Sequence, residues 1–269
     1  MITVMTHPVP VLDHLAWPNS DLQQELAKLR GRSPLVHCVT NAVVTNFTAN
    51  VLLAVGAAPA MVVSVEEVEE FVRIADALLV NVGTITTTDA EAMLKAAEAA
   101  GQTGTPWVLD PVAAGVLSYR TSIVGKLVGL RPTVIRGNAS EILALNGLSG
   151  GGRGVDSTVA SSDALPAAIE LARSSGAVVA LSGKVDYVTD GERTVAIEGG
   201  HELMSRVTGM GCTLGALIAA FLPVSADPLS AAAAASAIFG AVGEQAAAKS
   251  GGPGSFAVEF LDRLSTIGA

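Results

Sequence analysis

The chain has 269 residues, a formal net charge of −9 at pH 7, and only 15% charged residues beside 50% hydrophobic ones. A typical globular protein is about 25% charged, so we expect part of the surface to be buried between subunits. The 16 basic residues face 25 acidic ones and form no Lys/Arg-rich run, which excludes a nucleic-acid-binding protein. The acidic balance is compatible with nucleotide binding, because backbone amides and a metal can hold phosphate.

Cysteine usage and hydropathy exclude further classes of protein. Cys38 and Cys212 lie far apart, which excludes a disulfide framework and a CxxC metal or redox site. The start of the chain has no basic segment followed by an apolar run. The longest apolar stretches, Leu214–Leu222 and Ser230–Gly243, fall short of the ~20 strongly apolar residues of a membrane span. We therefore expect a soluble, cytoplasmic protein without a membrane partner.

Short β-branched runs alternate along the chain with longer Ala- and Leu-rich helical patterns. The predicted strands, in chain order, are Leu35–Val39, Ala60–Val63, Ala77–Val82, Trp107–Leu109, Thr133–Ile135 and Ala177–Leu181. The predicted helices are Thr45–Val55, Val65–Ala75, Asp89–Ala100, Ser118–Val128, Ala139–Leu145 and Asp163–Ser175. Strands buried on both faces and joined by helices indicate a mainly parallel sheet with right-handed crossovers.

The last third of the chain changes to a hairpin followed by helices. The Asp190-Gly191 step favours a tight turn between two short strands, Tyr187–Val188 and Thr194–Ile197. The remaining predicted helices are Thr213–Phe221, Pro228–Lys249 and Phe256–Leu264. The glycine-rich stretch Gly147–Gly154 is predicted to be a surface loop and not a linker. We expect one α/β domain over residues 1–269, with a central, mostly parallel sheet flanked by helices on both faces and residues 1–20 as an irregular extension.

Ligands of open α/β sheets bind beyond the carboxyl ends of the strands, so the residues that follow each strand are candidate site residues. Asn41 offers neutral donors and acceptors that suit a polar, uncharged heterocycle, or else a helix cap and turn. The stretch Asn81–Thr84 is suited either to shape a ligand wall or to form a turn. Asp110 follows the next strand and suits magnesium or its water shell. Its alternative role is to cap a turn.

Two later stretches suit phosphate chemistry. Arg136 offers a planar fork to phosphate oxygens, and Glu141, in a first helical turn, can reach a metal or its waters. Glu141 also fits an ordinary capping pair with Asn138. The glycines at 209 and 211 let the N–H groups of Gly209, Met210 and Gly211 converge before a helix, which predicts an anion hole. No G-x-x-x-x-G-K-[ST] motif occurs, so a Walker-type nucleotide binder is excluded.

These stretches together resemble the hydroxyethylthiazole kinase family of the ribokinase-like superfamily, in the same order from about residue 33 to 265. The matching segments are Val36–Asn41, Asn46–Asn50, Gly56–Met61, Val108–Gly115, Arg136–Ile142 and Val207–Cys212. The resemblance implies ATP- and Mg²⁺-dependent phosphorylation of 4-methyl-5-(2-hydroxyethyl)thiazole, a salvage step towards thiamine. It also implies a homotrimer with sites at the subunit interfaces.

The resemblance assigns roles to individual residues by matching position. Met61 and Gly209 would contact the thiazole, Arg136 and Ser182 the ATP, and Asp110 and Glu141 the magnesium, with Cys212 at the position of the catalytic base. Whether Cys212 acts as the base or only lines the site stays open.

At three positions the residue type can be compared with that of the family and of related enzymes. Ser182 stands where Thr is common and keeps the hydroxyl, whereas Met210 replaces Ala or Thr and is expected to narrow the site. Cys212 argues against hydroxymethylpyrimidine kinases, sugar kinases and the nucleotide-dependent NAD(P)H-hydrate dehydratase, which normally carry Asp there. A non-catalytic thiazole-binding or regulatory protein is a further alternative, but it has no need for a phosphate apparatus.

Overall fold

The computed structural model describes residues 12–147, 152–153, 156–157 and 159–268. Its strands are β1 (Leu12–Leu15), β2 (Leu35–Val39), β3 (Ala58–Ala60), β4 (Ala77–Asn81), β5 (Trp107–Asp110), β6 (Val134–Asn138), β7 (Gly152–Arg153), β8 (Asp156–Ser157), β9 (Val178–Ser182), β10 (Val185–Thr189) and β11 (Thr194–Glu198). Its helices are α1 (Ser20–Arg32), α2 (Thr45–Val55), α3 (Val68–Val72), α4 (Thr87–Thr103), α5 (Ser118–Gly129), α6 (Ala139–Leu145), α7 (Ser161–Ser175), α8 (Met210–Phe221), α9 (Pro228–Ala247) and α10 (Pro253–Thr266), with a 3₁₀ turn at Glu202–Arg206.

Nine of these strands form one sheet in the order β1-β11-β10-β9-β6-β5-β4-β2-β3. β10 runs antiparallel to β9 and β11, and the other neighbouring pairs are parallel. The short strands β7 and β8 pair only with each other, in an antiparallel arrangement. The single α/β domain with a mostly parallel central sheet is therefore confirmed.

The sheet separates two apolar layers because neighbouring residues of a strand point to opposite faces. In β4, Ala77 and Leu79 belong to one layer, whereas Leu78 and Val80 belong to the other. Helices α1, α2, α8, α9 and α10 cover the first face, and α3 to α7 cover the second. Buried strands of this kind read as continuous apolar runs, which explains why most of them were predictable from sequence.

The N-terminal prediction needs a correction. Leu12–Leu15 form β1, which pairs in parallel with β11, so this part of the expected irregular extension is a strand of the main sheet. Helix α1, which was not predicted, begins at Ser20, where the Asn19 side chain accepts a hydrogen bond from the Asp21 N–H. Residues 1–11 lie outside the described residues.

Other boundaries also differ from expectation. β3 ends at Ala60 and does not span residues 60–63, because it is an edge strand that pairs with β2 only over Leu35 to His37. α3 is limited to Val68–Val72. Residues 148–151 and 154 of the predicted surface loop lie outside the described residues. No helix in the described part of the chain combines the length and apolarity needed to cross a lipid bilayer.

Candidate active site

Polar side chains form a continuous row across the carboxyl ends of β2, β4 and β5. The Asn41 amide donates to Asn81 Oδ1 at 2.8 Å, and the Asn81 amide in turn donates to Asp110 Oδ2 at 2.9 Å. Asn81 and Asp110 are also paired in register between β4 and β5. At the β2 end of the row, the Asn41 amide donates to Cys212 Sγ at 3.8 Å. Four residues that are distant in sequence thus meet at one edge of the sheet.

The row continues over β6 and β9 through Arg136. Its Nη1 lies 3.7 Å from Asp110 Oδ2, and its Nε and Nη2 donate to Ser182 Oγ at 3.1 and 2.8 Å. Arg136 is only 8% exposed. Its guanidinium places a positive charge at this end of the row. The predicted pair Arg136 and Ser182 is therefore brought together.

The start of α8 lies against the same guanidinium. An ideal Cβ on Gly211 falls 3.0 Å from Arg136 Nη1, so the absence of a side chain there lets Arg136 approach the helix. Gly209 precedes α8 with φ 90°, a left-handed conformation that favours glycine. The first N–H groups of a helix have no acceptor within it and carry a positive partial charge. A guanidinium and a helix N-terminus together form a site for an anionic group.

Asp110, like Asn81, is fully buried, with 0% exposure. Burial raises its pKa to about 7; the Glu141 charge adds to this rise, whereas Arg136 and the Asn81 hydrogen bond oppose it. Asp110 Oδ1 has no hydrogen-bond partner among the described residues. A buried carboxylate oxygen without a partner costs free energy, which a cation or a proton would recover.

Glu141 approaches Asp110 from the first turn of α6. Its Oε2 accepts from the Asn138 N–H at 2.9 Å and the Asn138 side chain accepts from the Glu141 N–H, which is the capping pair expected from sequence. Its Oε1 accepts from the Ala113 N–H at 2.9 Å. Burial raises the pKa of Glu141, opposed by these two N–H donors and by the charges of Arg136 and Arg120. The cap therefore fixes the carboxylate and does not exclude a second role for it.

The donors present fit magnesium. Mg²⁺ prefers oxygen ligands and usually keeps several waters, with one or two carboxylates and substrate phosphates. Asp110, with its unpartnered Oδ1, and Glu141 supply two oxygen donors near each other. In the described part of the chain no group of three or more His, Cys, Asp or Glu side chains is placed to hold a metal. A metal that also uses waters and phosphates needs no such group.

Cys212 lies in the first turn of α8. Burial, and next the Asp110 charge, raise its pKa to about 11, while Asn81, Asn41 and Arg136 lower it only in part. The thiol is therefore protonated at neutral pH, although a helix N-terminus would by itself favour the thiolate.

The two predicted methionine positions differ in their surroundings. Met61 is half-buried at the carboxyl end of β3, the edge strand next to β2, and so flanks the Asn41 end of the row. Met210 is 4% exposed and packs within the core on the α8 side of the sheet. The expected narrowing of the site by Met210 stays a prediction.

Sequence reasoning did not find the roles of two residues of the site. Asn81 was weighed only as a ligand wall or a turn, yet it joins Asn41 to Asp110. Asp186 on β10 accepts from the Gly183 N–H at 2.9 Å, and burial raises its pKa to about 6, with the Arg136 charge among the opposing effects. A half-buried carboxylate beside an arginine is a signal of function, but only the fold brings these two residues together.

Known proteins share this architecture and much of this sequence. The model of the "Hydroxyethylthiazole kinase family" matches residues 26–269. The chain belongs to the hydroxyethylthiazole kinase family. It is 62% identical over 252 residues to the hydroxyethylthiazole kinase of Leptospira borgpetersenii serovar Hardjo-bovis (strain JB197), covering 94% of this chain and 96% of that protein. It is 56% identical over 239 residues to that of Serratia proteamaculans (strain 568), covering 89% and 90%.

Solved structures also resemble this chain in fold. A hydroxyethylthiazole kinase protein from Pyrococcus horikoshii OT3 superposes with a TM-score of 0.85 at 41% identity, covering 91% of this chain and 93% of that one. A ribokinase-like superfamily protein from Enterococcus faecalis V583 shares the fold at 16% identity, with a TM-score of 0.69 and coverage of 96% and 95%. Membership in the hydroxyethylthiazole kinase family confirms the predicted resemblance and an enzyme of the kinase class.

Proposed function

We propose that this kinase transfers the γ-phosphoryl group of ATP to the hydroxyethyl arm of 4-methyl-5-(2-hydroxyethyl)thiazole in the presence of Mg²⁺. The observation that carries the proposal is the Arg136 guanidinium, which lies at the N-terminus of α8 and within 3.7 Å of the buried Asp110 carboxylate. A phosphate site and a candidate magnesium site are thereby adjacent. A protein that only bound a thiazole would need neither.

Arg136, Ser182 and the start of α8 are the proposed ATP phosphate site. Phosphoryl transfer demands mainly positioning and stabilisation of charge on the transferred group. Arg136 keeps a planar fork of donors in place through its two hydrogen bonds to Ser182 Oγ. The N–H groups at Gly209, Met210 and Gly211 are the proposed anion hole, and the Arg136 charge next to Gly211 would add to their effect on the developing charge.

Asp110 and Glu141 are the proposed magnesium residues. Bound Mg²⁺ would neutralise phosphate charge and orient the phosphates. Glu141 would act through its remaining lone pairs or through a water, because each of its oxygens already accepts one N–H bond. Asp110 would use Oδ1, since Oδ2 accepts from Asn81.

Asn41, Met61 and Gly209 are the proposed thiazole contacts, on the Cys212 side of the row. The Asn41 amide supplies a neutral polar group, and Met61 a half-buried apolar one. The substrate hydroxyl would lie near Cys212. Since the free thiol is protonated at neutral pH, Cys212 would either have to release its proton to solvent before it accepts the proton of the hydroxyl, or serve to position the hydroxyl.

We further propose a cytoplasmic homotrimer with sites shared between subunits, acting in thiamine salvage. Several large apolar side chains are exposed on the single chain, among them Val43 (59%), just before α2, and Leu53 (60%), within α2. α2 begins four residues after Asn41 in the chain. Burial of this surface by a neighbouring subunit would account for the low charged fraction and bring a second chain close to the site.

One experiment tests the proposed reaction. The purified enzyme with ATP and Mg²⁺ is offered the thiazole alcohol, hydroxymethylpyrimidine, ribose or hydrated NADH, and ADP release is followed together with the phosphorylated product. We expect the thiazole alcohol to give the highest kcat/KM. A higher kcat/KM on hydroxymethylpyrimidine or ribose would replace the proposed substrate, and turnover of hydrated NADH would assign a dehydratase.

A further inference from the structure

Arg120 is a cation close to the site that the proposed reaction does not use. It lies in the first turn of α5, and its Nη1 donates to the carbonyl oxygen of Val112 at 3.2 Å. Its Nε is buried and has no hydrogen-bond partner among the described residues. Val112 belongs to the loop that follows Asp110 at the end of β5. Arg120 therefore holds the loop that leads away from the proposed magnesium carboxylate.

Arg120 and Glu141 hold the same peptide group from opposite sides. The Val112 carbonyl accepts from Arg120, and the N–H of that peptide, which belongs to Ala113, donates to Glu141 Oε1 at 2.9 Å. The peptide group is planar, so its carbonyl and N–H cannot turn independently. A guanidinium at the carbonyl and a carboxylate at the N–H polarise the peptide in the same direction, which strengthens both hydrogen bonds.

The backbone conformation of Ala113 also needs stabilisation by its surroundings. Ala113 has φ 58°, a left-handed conformation that costs free energy in a residue other than glycine. Such a conformation persists only where the surroundings over-determine it. The surroundings here are Arg120 on one side and Glu141 on the other, and Ala113 itself is buried.

We propose that Arg120 is a positioning residue that orients Glu141 for its metal through the Val112–Ala113 peptide. The inference rests on the proposed magnesium role of Glu141. The Asn138 N–H fixes one carboxylate oxygen and the Ala113 N–H fixes the other, so the remaining lone pairs point in set directions. Loss of Arg120 leaves the Val112 carbonyl without its charged donor, frees the peptide to rotate and removes one of the two N–H groups that hold Glu141.

A simple anchor for the start of α5 is the competing explanation, and the chain offers a matched control for it. Thr121, the next residue, holds the other end of the same loop: its Oγ1 accepts from the Gly115 N–H at 2.8 Å. That contact does not involve the Val112–Ala113 peptide. A purely structural role predicts that Arg120 and Thr121 variants behave alike, whereas a positioning role separates them.

The test measures equilibrium binding of Mn²⁺, by electron paramagnetic resonance, to enzyme with a non-hydrolysable ATP analogue. Partners that orient a metal ligand are worth about 10–100-fold in metal affinity, so we expect Arg120→Met to weaken Mn²⁺ binding at least about tenfold. Arg120→Lys, which keeps a charged donor, restores most of the affinity. Thr121→Val binds Mn²⁺ as the wild type does, and the metal-free affinity for the analogue is the same in all variants.

Each other outcome is decisive. Wild-type Mn²⁺ affinity in Arg120→Met overturns the inference, and so does an equal loss of affinity in Thr121→Val. If Mn²⁺ binding is weakened in Glu141→Gln, the proposed metal role of Glu141 nevertheless remains intact. Wild-type affinity in Glu141→Gln removes that role and the inference with it. Thermal unfolding checks that each variant is folded. If Arg120→Met is not, Arg120→Gln takes its place, and wild-type Mn²⁺ affinity in that variant would equally overturn the inference.

Discussion

Replacing Cys212 by Asp tests how the substrate hydroxyl loses its proton. Related kinases of the superfamily normally carry Asp at this position, whereas here the thiol has a pKa of about 11. At pH 7 a group with that pKa is ionised in roughly one molecule in ten thousand. If the thiolate is the base, the wild-type enzyme works with a strong base that is very rarely present.

The structure sets the size of the expected change. An Asp at 212 would be buried beside Asp110, whose own pKa is raised to about 7; with the same pKa, roughly half of the Asp at 212 would be ionised at neutral pH. The ionised fraction of the base would then be at least about a thousandfold larger than in the wild-type enzyme. The carboxylate would be a weaker base than the thiolate by about four pKa units. At a Brønsted slope near one half, this would reduce the gain in rate roughly a hundredfold. We expect Cys212→Asp to lose no activity and to gain up to about a hundredfold.

Two further variants separate a base from a positioning group. Cys212→Ala should lower kcat by on the order of 10²–10⁴ or less, the usual effect of losing one acid–base group. Cys212→Ser keeps the size and a hydrogen-bonding group but cannot ionise near neutral pH. If the thiol acts as a base, Ser is as slow as Ala; if it only positions the hydroxyl, Ser approaches the wild-type rate.

The pH dependence follows from the sign of the shift. A thiol base with a raised pKa is deprotonated only as pH rises, so the wild-type kcat should climb towards a pKa of about 11. In Cys212→Asp the climb should level off near pH 7. The assay is steady-state ADP release with saturating substrates, combined with mass spectrometry of enzyme quenched during turnover. A trapped phosphocysteine, with both Asp and Ala variants nearly dead, would refute the reasoning and assign Cys212 as a covalent nucleophile.

Three other predictions concern the metal, the phosphate site and assembly. Glu141→Ala should cut kcat strongly and leave thiazole affinity, measured by calorimetry, nearly intact; equal losses would indicate a collapsed start of α6. Gly211→Ala would push the Arg136 guanidinium away from Ser182, so KM for ATP should rise roughly tenfold, whereas Gly101→Ala, with no atom near its Cβ, should leave it unchanged. Light scattering at micromolar concentration should show a trimer, and a fully active monomer would contradict shared sites.

Local patterns in the sequence were sufficient for the elements whose residues make most contacts nearby. α2 and α6 have the predicted bounds, because a glycine follows the first and the Asn138 and Glu141 capping pair starts the second. β1 was not predictable in this way. Its partner, β11, is about 180 residues away in the chain, and four residues carry too short a pattern to indicate a strand.

The site was predictable in its charged residues and less so in the groups that hold them. Asp110 and Arg136 were singled out because a charged residue at a strand end needs an explanation. Asn81 has a neutral amide that fits a turn equally well, and only its register opposite Asp110 reveals its role. Arg120 lies in the first turn of a helix, where an arginine is ordinarily solvated; its contact with Val112 depends on how the loop folds back.

The row of side chains explains why so few charged groups suffice in this site. Cys212 lies at one end and Ser182 at the other, and every neighbouring pair between them is joined by a hydrogen bond or by the Arg136–Asp110 ion pair. Phosphoryl transfer depends on alignment of the hydroxyl with the phosphate more than on covalent chemistry by the protein. A connected row fixes both ends relative to each other before either substrate binds. Asn81, in the middle of the row, thus contributes to alignment at both ends although it carries no charge.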